Sequence, residues 1–365
     1  MIFQIEKGNL QTAVATAARA ISQRTNLQIL EGLMLEARDG NIIVRATDTE
    51  LSIETVAPAM VEEEGSIVLN SRLITEIVRK LPSAMVHIAT EGSKVHLRCG
   101  NSSFDMMSQN ADDYPDMPSL EDSHRVEVAT ESLLQAFGRT SFAVATDDMR
   151  IALTGVYMNS TPEGLDFVAL DGYRMAVEHI AGFESLNRGI ILPSRAVQEL
   201  SKLLKEGGSI PMTLGNNHIC FTFDNTKFYT KLLNGDYFKY QQLIRRDHPI
   251  TVHVDRRALA DALERASLMT GKERSGLVRL NMEENTLHIT SNSEIGAVHE
   301  VLSMEKEGAD LMIAFNARYL LEGLKVVSAD EVTLGFVDAV SPMIMTLEED
   351  PNFLYLALPV RLGGQ

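Results

Sequence analysis

The sequence predicts an α+β protein built from three copies of one domain, each with two helices packed on antiparallel sheets. The opening segment FQIEKGNL at 3–10, a short strand leading into a helix, returns as VEVATESL at 126–133 and as VHVDRRAL at 252–259. A second strand-to-helix segment also returns twice, and its arginines, Arg72, Arg195 and Arg318, stand at equal intervals of 123 residues. Evenly spaced repeats of this kind indicate one supersecondary design used three times.

The first helix of each repeat carries an apolar stripe. Apolar or small residues recur at i, i+4, i+7 and i+11, which is one face of an α-helix. These residues are Leu10, Val14, Ala17 and Ile21 in the first copy, Leu133, Phe137, Thr140 and Val144 in the second, and Leu259, Leu263, Ala266 and Thr270 in the third. The spacing therefore predicts three helices that bury the same face.

The segments between and after the helices have the pattern of strands. Apolar and polar residues alternate in runs such as 33–54, where Asp39 and Gly40 are a strong hairpin signal. Each repeat is thus expected to run strand, helix, strands, helix, strands. Acidic residues, Pro and Ser accumulate at 110–123, and a second boundary signal lies at 245–249. We therefore predict domains at 1–122, 123–248 and 249–365.

The composition is that of a globular protein. At 365 residues and 45% hydrophobic content, the chain is too long for one ordinary core. The N-terminus lacks the basic region and apolar run of a signal peptide, and no uncharged apolar segment is long enough to cross a membrane. We therefore predict a cytoplasmic protein with no membrane partner. Cys99 and Cys220 lie inside strand-like runs, which favours buried thiols over a disulfide or a zinc site.

The sequence contains no convincing catalytic constellation. Gly271 and Lys272 suggest a phosphate loop, but Ala266 stands where the first glycine should be and Glu273 where Ser or Thr should bind magnesium. The nine histidines show no metal-ligand spacing, and adjacent carboxylates such as Asp112 and Asp113 are expected in solvated loops. The sequence therefore predicts a binding protein rather than an enzyme, with no catalytic residue, metal or cofactor.

The distribution of charge draws attention to the helices. The formal net charge is −17, yet no Asp or Glu occurs between Gly8 and Leu30. Basic residues lie in or beside the helices, and those considered as contacts to an anionic partner are Arg24, Arg72, Arg79, Lys80, Arg195 and Lys202. One interpretation is a set of ordinary solvated helix faces. The other, which recurrence in three repeats favours, is a helical surface that faces phosphates.

Two segments resemble one protein family. Residues 170–176, LDGYRMA, resemble the T-D-G-H-R-L-A segment of the bacterial sliding clamp, the β subunit of DNA polymerase III, and residues 355–362, YLALPVRL, resemble its terminal Y-x-x-x-P-[MV]-R-L. The segment RIALTG at 150–155, the length and the three repeats fit the same family. The resemblance implies a head-to-tail homodimeric ring in which six like domains enclose double-stranded DNA, with helices lining the hole and sheets outside.

The resemblance also implies partners and contacts. Sliding clamps tether the DNA polymerase III catalytic subunit for processive DNA replication, and they bind the clamp loader and repair proteins through a hydrophobic pocket for short peptides. Arg24 and Arg72 match the family's DNA-contact positions. The pocket positions carried over by the resemblance are Leu153, Leu170, Gly172, Tyr173, Arg174, Met175, Phe238, Gln242, Leu243, Asn316, Tyr319, Val340, Pro342, Leu356, Ala357, Leu358, Pro359, Val360, Arg361 and Leu362.

The chain departs from the family pattern at several positions. Leu170 replaces the usual Thr, Tyr173 the usual His, and Phe238 the common Pro, which predicts a different peptide preference. On the DNA side, the positions where some members have Gln and Tyr hold Asp147, Ile151 and Ala152.

Several interpretations stay open beside these departures. The residues at 356, 358 and 360 also suit an ordinary buried last strand. The dimer is expected to pair edge strands near 103–107 and 297–302. A monomeric peptide-binding scaffold derived from the clamp is the alternative to a ring.

Overall fold

A computed structural model of the chain describes residues 1–22, 27–120, 123–183, 185–270, 276–294 and 296–361. Within these ranges the chain forms six α-helices and 26 β-strands, in the order strand, helix, strands, helix, strands, three times over. The predicted fold class is therefore confirmed. By its internal contacts the chain divides into two compact units, residues 1–131 with 198–232 (the first unit) and residues 132–197 with 233–365 (the second unit).

The first repeat consists of β1 (Ile2–Glu6), α1 (Lys7–Ala17), β2 (Gly32–Arg38), β3 (Asn41–Thr47), β4 (Leu51–Pro58), β5 (Met60–Glu63), β6 (Gly65–Asn70), α2 (Ser71–Lys80), β7 (Met85–Glu91), β8 (Lys94–Cys99) and β9 (Ser102–Met107). The second consists of β10 (His124–Ala129), α3 (Thr130–Thr140), β11 (Gly155–Thr161), β12 (Gly164–Leu170), β13 (Arg174–Ala181), β14 (Ile190–Pro193), α4 (Ser194–Leu203), β15 (Ser209–Leu214), β16 (His218–Phe223) and β17 (Thr226–Lys231). The third consists of β18 (Ile250–Asp255), α5 (Arg256–Ser267), β19 (Leu277–Glu283), β20 (Thr286–Ser293), β21 (Gly296–Ser303), β22 (Glu305–Glu307), β23 (Leu311–Asn316), α6 (Ala317–Lys325), β24 (Glu331–Phe336), β25 (Met343–Thr346) and β26 (Phe353–Ala357).

The apolar stripe is buried in all three first helices, but only over its first three members. Leu10, Val14 and Ala17 are fully buried, and so are their counterparts in α3 and α5. The fourth members, Ile21, Val144 and Thr270, lie beyond the helix ends, so the prediction that they continue the helix is wrong. After α1 and α3 the chain tightens into a 3₁₀ turn, and after α5 it also leaves the helix, which ends the 3.6-residue period before the fourth position.

Local signals in the strands are confirmed. Asp39 and Gly40 connect β2 to β3 with positive φ angles of 50° and 72°, as a two-residue hairpin requires. Cys99 and Cys220 are buried free thiols. The strands of the described residues form four antiparallel sheets, with the orders β5-β1-β7-β8-β9, β10-β15-β16-β17-β4-β3-β2-β6, β14-β11-β12-β13-β26-β25-β24-β18-β22 and β21-β20-β19-β23.

Neighbouring repeats are joined by continuous sheets. In the first unit β17, the last strand of the second repeat, pairs with β4, the third strand between the helices of the first repeat. Hydrogen bonding between the Thr226 and Thr55 hydroxyls (3.0 Å) supports this junction. In the second unit β26, the last strand of the third repeat, pairs in the same way with β13, the third strand between the helices of the second. Strand pairing thus links consecutive repeats by one rule.

Candidate functional site

A cleft of about 270 Å³ opens in the second unit, at the junction of the second and third repeats. Met175 pairs with Leu170 on one neighbouring strand and with Leu356 on the other, so the three side chains stand side by side on one face of the sheet. All three are buried, and they form the apolar floor of the cleft. The lining residues are Arg150, Leu153, Leu170, Gly172, Tyr173, Arg174, Met175, Phe238, Leu243, Pro342, Leu356 and Leu358.

The turn between β12 and β13 shapes one wall of the cleft. The Asp171 carboxylate accepts hydrogen bonds from the backbone N–H groups of Tyr173 (2.9 Å) and Arg174 (3.1 Å). Gly172 between them has a φ of 91°. A Cβ at this glycine would meet no atom within 4 Å, so the requirement for glycine is conformational rather than steric. This explains the Asp-Gly pair of the LDGYRMA segment in terms of the turn.

Arg174 fixes this wall to the rest of the second unit. Its Nε donates to Asp171 (3.1 Å), its Nη1 to the Glu322 carboxylate, and its Nη2 to the Phe142 carbonyl (2.9 Å). The guanidinium also lies 4.8 Å from the Tyr319 ring centroid, within cation–π range. Arg174 is therefore a buried structural cation whose donors are committed to protein groups, and only a small part of it borders the cleft.

The rim of the cleft is apolar and exposed. Tyr173, Phe238, Leu243 and Leu358 each expose more than a third of their surface although they are large hydrophobic residues. Tyr173 stacks on Tyr319 with ring centroids 6.1 Å apart. Burial raises the pKa of Tyr319, and the nearby Asp171 carboxylate raises it further, so its phenol stays neutral at physiological pH. An apolar cleft with such a rim is suited to hydrophobic side chains of an extended peptide.

The remaining predicted pocket residues surround the cleft without lining it. Tyr319 supports Tyr173, the Asn316 side chain accepts the Arg318 N–H at the start of α6, and Val340 is exposed. Gln242 is exposed in a 3₁₀ turn at Tyr240–Leu243.

Residues at the end of the chain are divided between core and surface. Ala357 is fully buried, whereas Pro359 and Val360 are half-buried and Arg361 is exposed. Leu362 lies outside the described residues. The two interpretations of the last strand agree for Leu356, which is buried in β26 and also lines the cleft.

Arg150 lines the cleft although the sequence did not predict this role. Its guanidinium lies 5.3 Å from the centroid of the Phe238 ring, at the cleft. The RIALTG segment contains Arg150, but nothing in the local pattern indicates that a residue 88 positions later would stack on it. The contact depends on the fold, because Phe238 belongs to the connection between the second and third repeats.

The predicted DNA-facing residues are mostly exposed. On α2, Arg72, Arg79 and Lys80 are exposed. Glu76 accepts a hydrogen bond from Arg79 at 2.7 Å and is the one acidic residue of this helix, so the helix has a net positive charge. Hydrogen bonding from Arg79 lowers the pKa of Glu76.

On α4, Lys202 is exposed and pairs with Glu199 (2.7 Å), whereas Arg195 is half-buried. Glu199 also bonds Arg19 at 2.8 Å. Arg24 lies outside the described residues.

No helix among the described residues is long and apolar enough to cross a membrane. Within the same residues, no group of three or more His, Cys, Asp or Glu side chains is placed to hold a metal ion.

Comparison with known proteins covers the whole chain. Models of the N-terminal, central and C-terminal domains of the DNA polymerase III beta subunit match residues 1–118, 127–239 and 241–361. The chain belongs to the DNA polymerase III beta subunit family. The beta sliding clamp of Bacillus subtilis (strain 168) is 31% identical over 99% of this chain and 100% of its own length.

Solved structures of sliding clamps have the same fold. The crystal structure of the DNA polymerase sliding clamp from Bacillus subtilis matches with a TM-score of 0.95 at 31% identity, over 99% of both chains. The structure of the Pseudomonas aeruginosa sliding clamp bound to griselimycin matches with a TM-score of 0.93 at 26% identity, over 99% of this chain and 100% of that chain. The beta subunit is the processivity subunit of its polymerase and is not catalytic, as the sequence predicted. The domain boundaries at 122 and 248 stay predictions.

Proposed function

We propose that this chain is a replication sliding clamp, a homodimeric ring that encircles double-stranded DNA and tethers the DNA polymerase III catalytic subunit. The clamp loader and other clamp-binding proteins dock at the same apolar cleft. A role in DNA replication supports a cytoplasmic location, which is part of the proposal. The proposal includes three clamp domains at 1–122, 123–248 and 249–365.

The proposal of a ring rests on the way in which strands pair between repeats. The last strand of the second repeat pairs with the third inter-helix strand of the first, and the last strand of the third pairs with that of the second. In the part of the chain that the structure describes, the same rule leaves two strands without a partner from another repeat. These are β9, the last strand of the first repeat, and β21, the third strand between the helices of the third repeat. Both lie at the edge of their sheets. A second copy of the chain supplies the missing strand at each edge, and two such junctions close a ring.

The edge strands are those expected from the sequence. The segment 103–107 lies in β9 and the segment 297–302 in β21. Each carries exposed apolar residues, with Phe104 on β9 and Val301 on β21. Exposed apolar residues along unpaired strands are typical of surfaces that pair with another chain.

Contact with DNA is electrostatic and independent of sequence. Exposed Arg72, Arg79 and Lys80 on α2 and Lys202 on α4 present cations on an otherwise acidic protein, and Arg24 and Arg195 belong to the same proposal. Lys and Arg meet phosphates without reading bases, so the ring is free to slide. Because closure of the ring holds the protein on DNA, a modest number of weak contacts is sufficient.

Ring formation predicts a native mass that one substitution halves. Wild-type protein should have a native mass near twice 40.3 kDa. Phe104→Asp should lower it to that of one chain, because a carboxylate on β9 would be desolvated at the strand junction. The matched control is Met60→Asp on β5, an exposed residue at the opposite edge of the same sheet, which should stay dimeric. Light scattering that finds a wild-type monomer would favour the monomeric scaffold instead.

A further inference from the structure

The connection that carries one wall of the cleft lies outside the sheets. Residues 234–249 lie between β17 and β18 and include Phe238 and Leu243, both lining residues. The first two residues after β17 are tied to neighbouring backbone, since Leu232 N donates to Asn217 O and Leu233 N to Ile191 O. From residue 234 to residue 249, a stretch that the structure describes in full, the backbone hydrogen bonds of the connection run only to its own members. They join Tyr240 N to Phe238 O, Gln242 N to Lys239 O, and Ile244 N to Gln241 O. Side chains must therefore hold this wall against the sheet.

Two tyrosines of the connection make the attachment. The Tyr237 ring stacks on Tyr157 of β11, with centroids 4.5 Å apart and planes 15° apart, and its hydroxyl donates to the Val168 carbonyl (3.3 Å). Tyr240 is 2% exposed and meets Tyr157 edge-on. Both rings therefore pack on the same residue of the sheet.

The Tyr240 hydroxyl enters a polar network formed by three neighbouring strands. It donates to Asp166 Oδ2 and accepts a hydrogen bond from Asn159 Nδ2 (3.1 Å). Asp166 Oδ1 is bonded to His179 Nδ1 at 2.6 Å. Both carboxylate oxygens of Asp166 are thus hydrogen-bonded, one to Tyr240 and the other to His179, and this fixes the position of the side chain. Burial raises the pKa of Tyr240, and hydrogen bonding to Asp166 raises it further, so the phenol remains a donor.

We infer that Asp166 and Tyr240 form a latch that positions Phe238 and Leu243 for peptide binding. Neither residue lines the cleft, so their effect on a bound peptide passes through the wall they hold. They are positioning residues for the docking site, and the inference rests on the proposed function. With the latch released, residues 234–249 sample more conformations, and a peptide must select the competent one.

The test compares two hydroxyl deletions in the full-length protein. Tyr240→Phe removes the bonds to Asp166 and Asn159 and keeps the ring, whereas the control Tyr114→Phe removes a buried hydroxyl of the first unit that donates to the Gly32 carbonyl (3.1 Å). The probe is a synthetic peptide with the clamp-binding segment of the DNA polymerase III catalytic subunit, titrated by calorimetry. Tyr240→Phe should weaken binding roughly tenfold, as expected when a hydrogen bond to a charged group is lost. Tyr114→Phe, which lies in the first unit and does not line the cleft, should keep a peptide affinity within about twofold of wild type.

Amide hydrogen exchange distinguishes positioning from general stability. Tyr240→Phe should speed exchange in residues 234–249 while β11, β12 and β13 keep wild-type protection. A pair of substitutions at Asp166 provides a second test, which remains available if Tyr240→Phe folds poorly. Asp166→Asn, which keeps an oxygen acceptor for the Tyr240 hydroxyl, should bind the peptide more tightly than Asp166→Ala.

The outcomes separate the latch from the docking site. Weakened binding with faster exchange confined to 234–249 supports the latch. Wild-type affinity in Tyr240→Phe despite faster exchange overturns it, and so does an equal loss of affinity in both tyrosine variants. A wild-type protein that does not bind the peptide overturns the docking site itself, and with it the role given to the latch.

Discussion

Leu243→Asp combined with Leu358→Asp is expected to weaken peptide binding at least about a hundredfold. Both side chains line the cleft and are 43% and 37% exposed, so the free protein keeps the new carboxylates in water. An apolar peptide side chain that enters the cleft would have to strip that water from both charges, at a cost of several kcal/mol. Met175 is a poorer choice for this test because it is buried, and a charge there would unfold the protein.

A matched variant controls for the added charge. Met149→Asp places a carboxylate on the same compact unit, at a residue that is 91% exposed and does not line the cleft. We expect its peptide affinity to stay within about twofold of wild type, in line with a weak surface effect. Calorimetric titration gives the affinities, and the thermal unfolding midpoint checks that both variants fold. Unchanged affinity in the double variant would show that the peptide binds elsewhere.

Arg174→Ala is expected to lower the free energy of unfolding by about 3–5 kcal/mol, the range measured when one partner of a buried ion pair is removed. Its loss leaves Asp171, Glu322 and the Phe142 carbonyl without the donor they share. Arg174→Lys should recover little of this, because an ammonium group cannot reproduce the fork of guanidinium donors. Chemical denaturation measures the effect, and the peptide affinity should fall as well because the turn at 171–173 loses its support.

Arg318 offers a close control for Arg174. Its Nε bonds the same Glu322 carboxylate at 2.7 Å, but its side chain is 77% exposed. Arg318→Ala is expected to cost less than about 1 kcal/mol, as is usual for a surface ion pair. If the two variants lost the same free energy of unfolding, burial of Arg174 would not be the reason for its importance.

Local patterns in the sequence were sufficient to predict the repeated elements. The stripe of Leu10, Val14 and Ala17 and the Asp39-Gly40 turn depend on residues close together in the chain, and both are confirmed. The same periodicity failed at Ile21, because a stripe says which face is buried but not where the hydrogen bonding of a helix tightens and ends.

Contacts between residues far apart in the chain could not be predicted from local sequence patterns. β4 pairs with β17 across more than 160 residues of chain, and no local alternation of apolar residues specifies that partner. For the same reason the sequence indicated Arg174 through a resemblance but not the shared use of Glu322 by Arg174 and Arg318. The contact between Asp166 and Tyr240 could not be predicted from the sequence either, because one residue lies in a strand and the other in a connection 74 residues later.

Retention on circular DNA distinguishes a ring that encircles DNA from a protein that binds its surface. The protein is loaded onto a nicked plasmid by a bacterial clamp loader with ATP, freed of loader by gel filtration, and followed as the DNA is cut once. The ring predicts that the protein stays on the circle and leaves within minutes of linearisation, and that tight-binding blocks at both DNA ends prevent the loss. Phe104→Asp should not be retained even on the circle. Equal retention on circular DNA and on linear DNA with free ends would show that the protein does not encircle DNA.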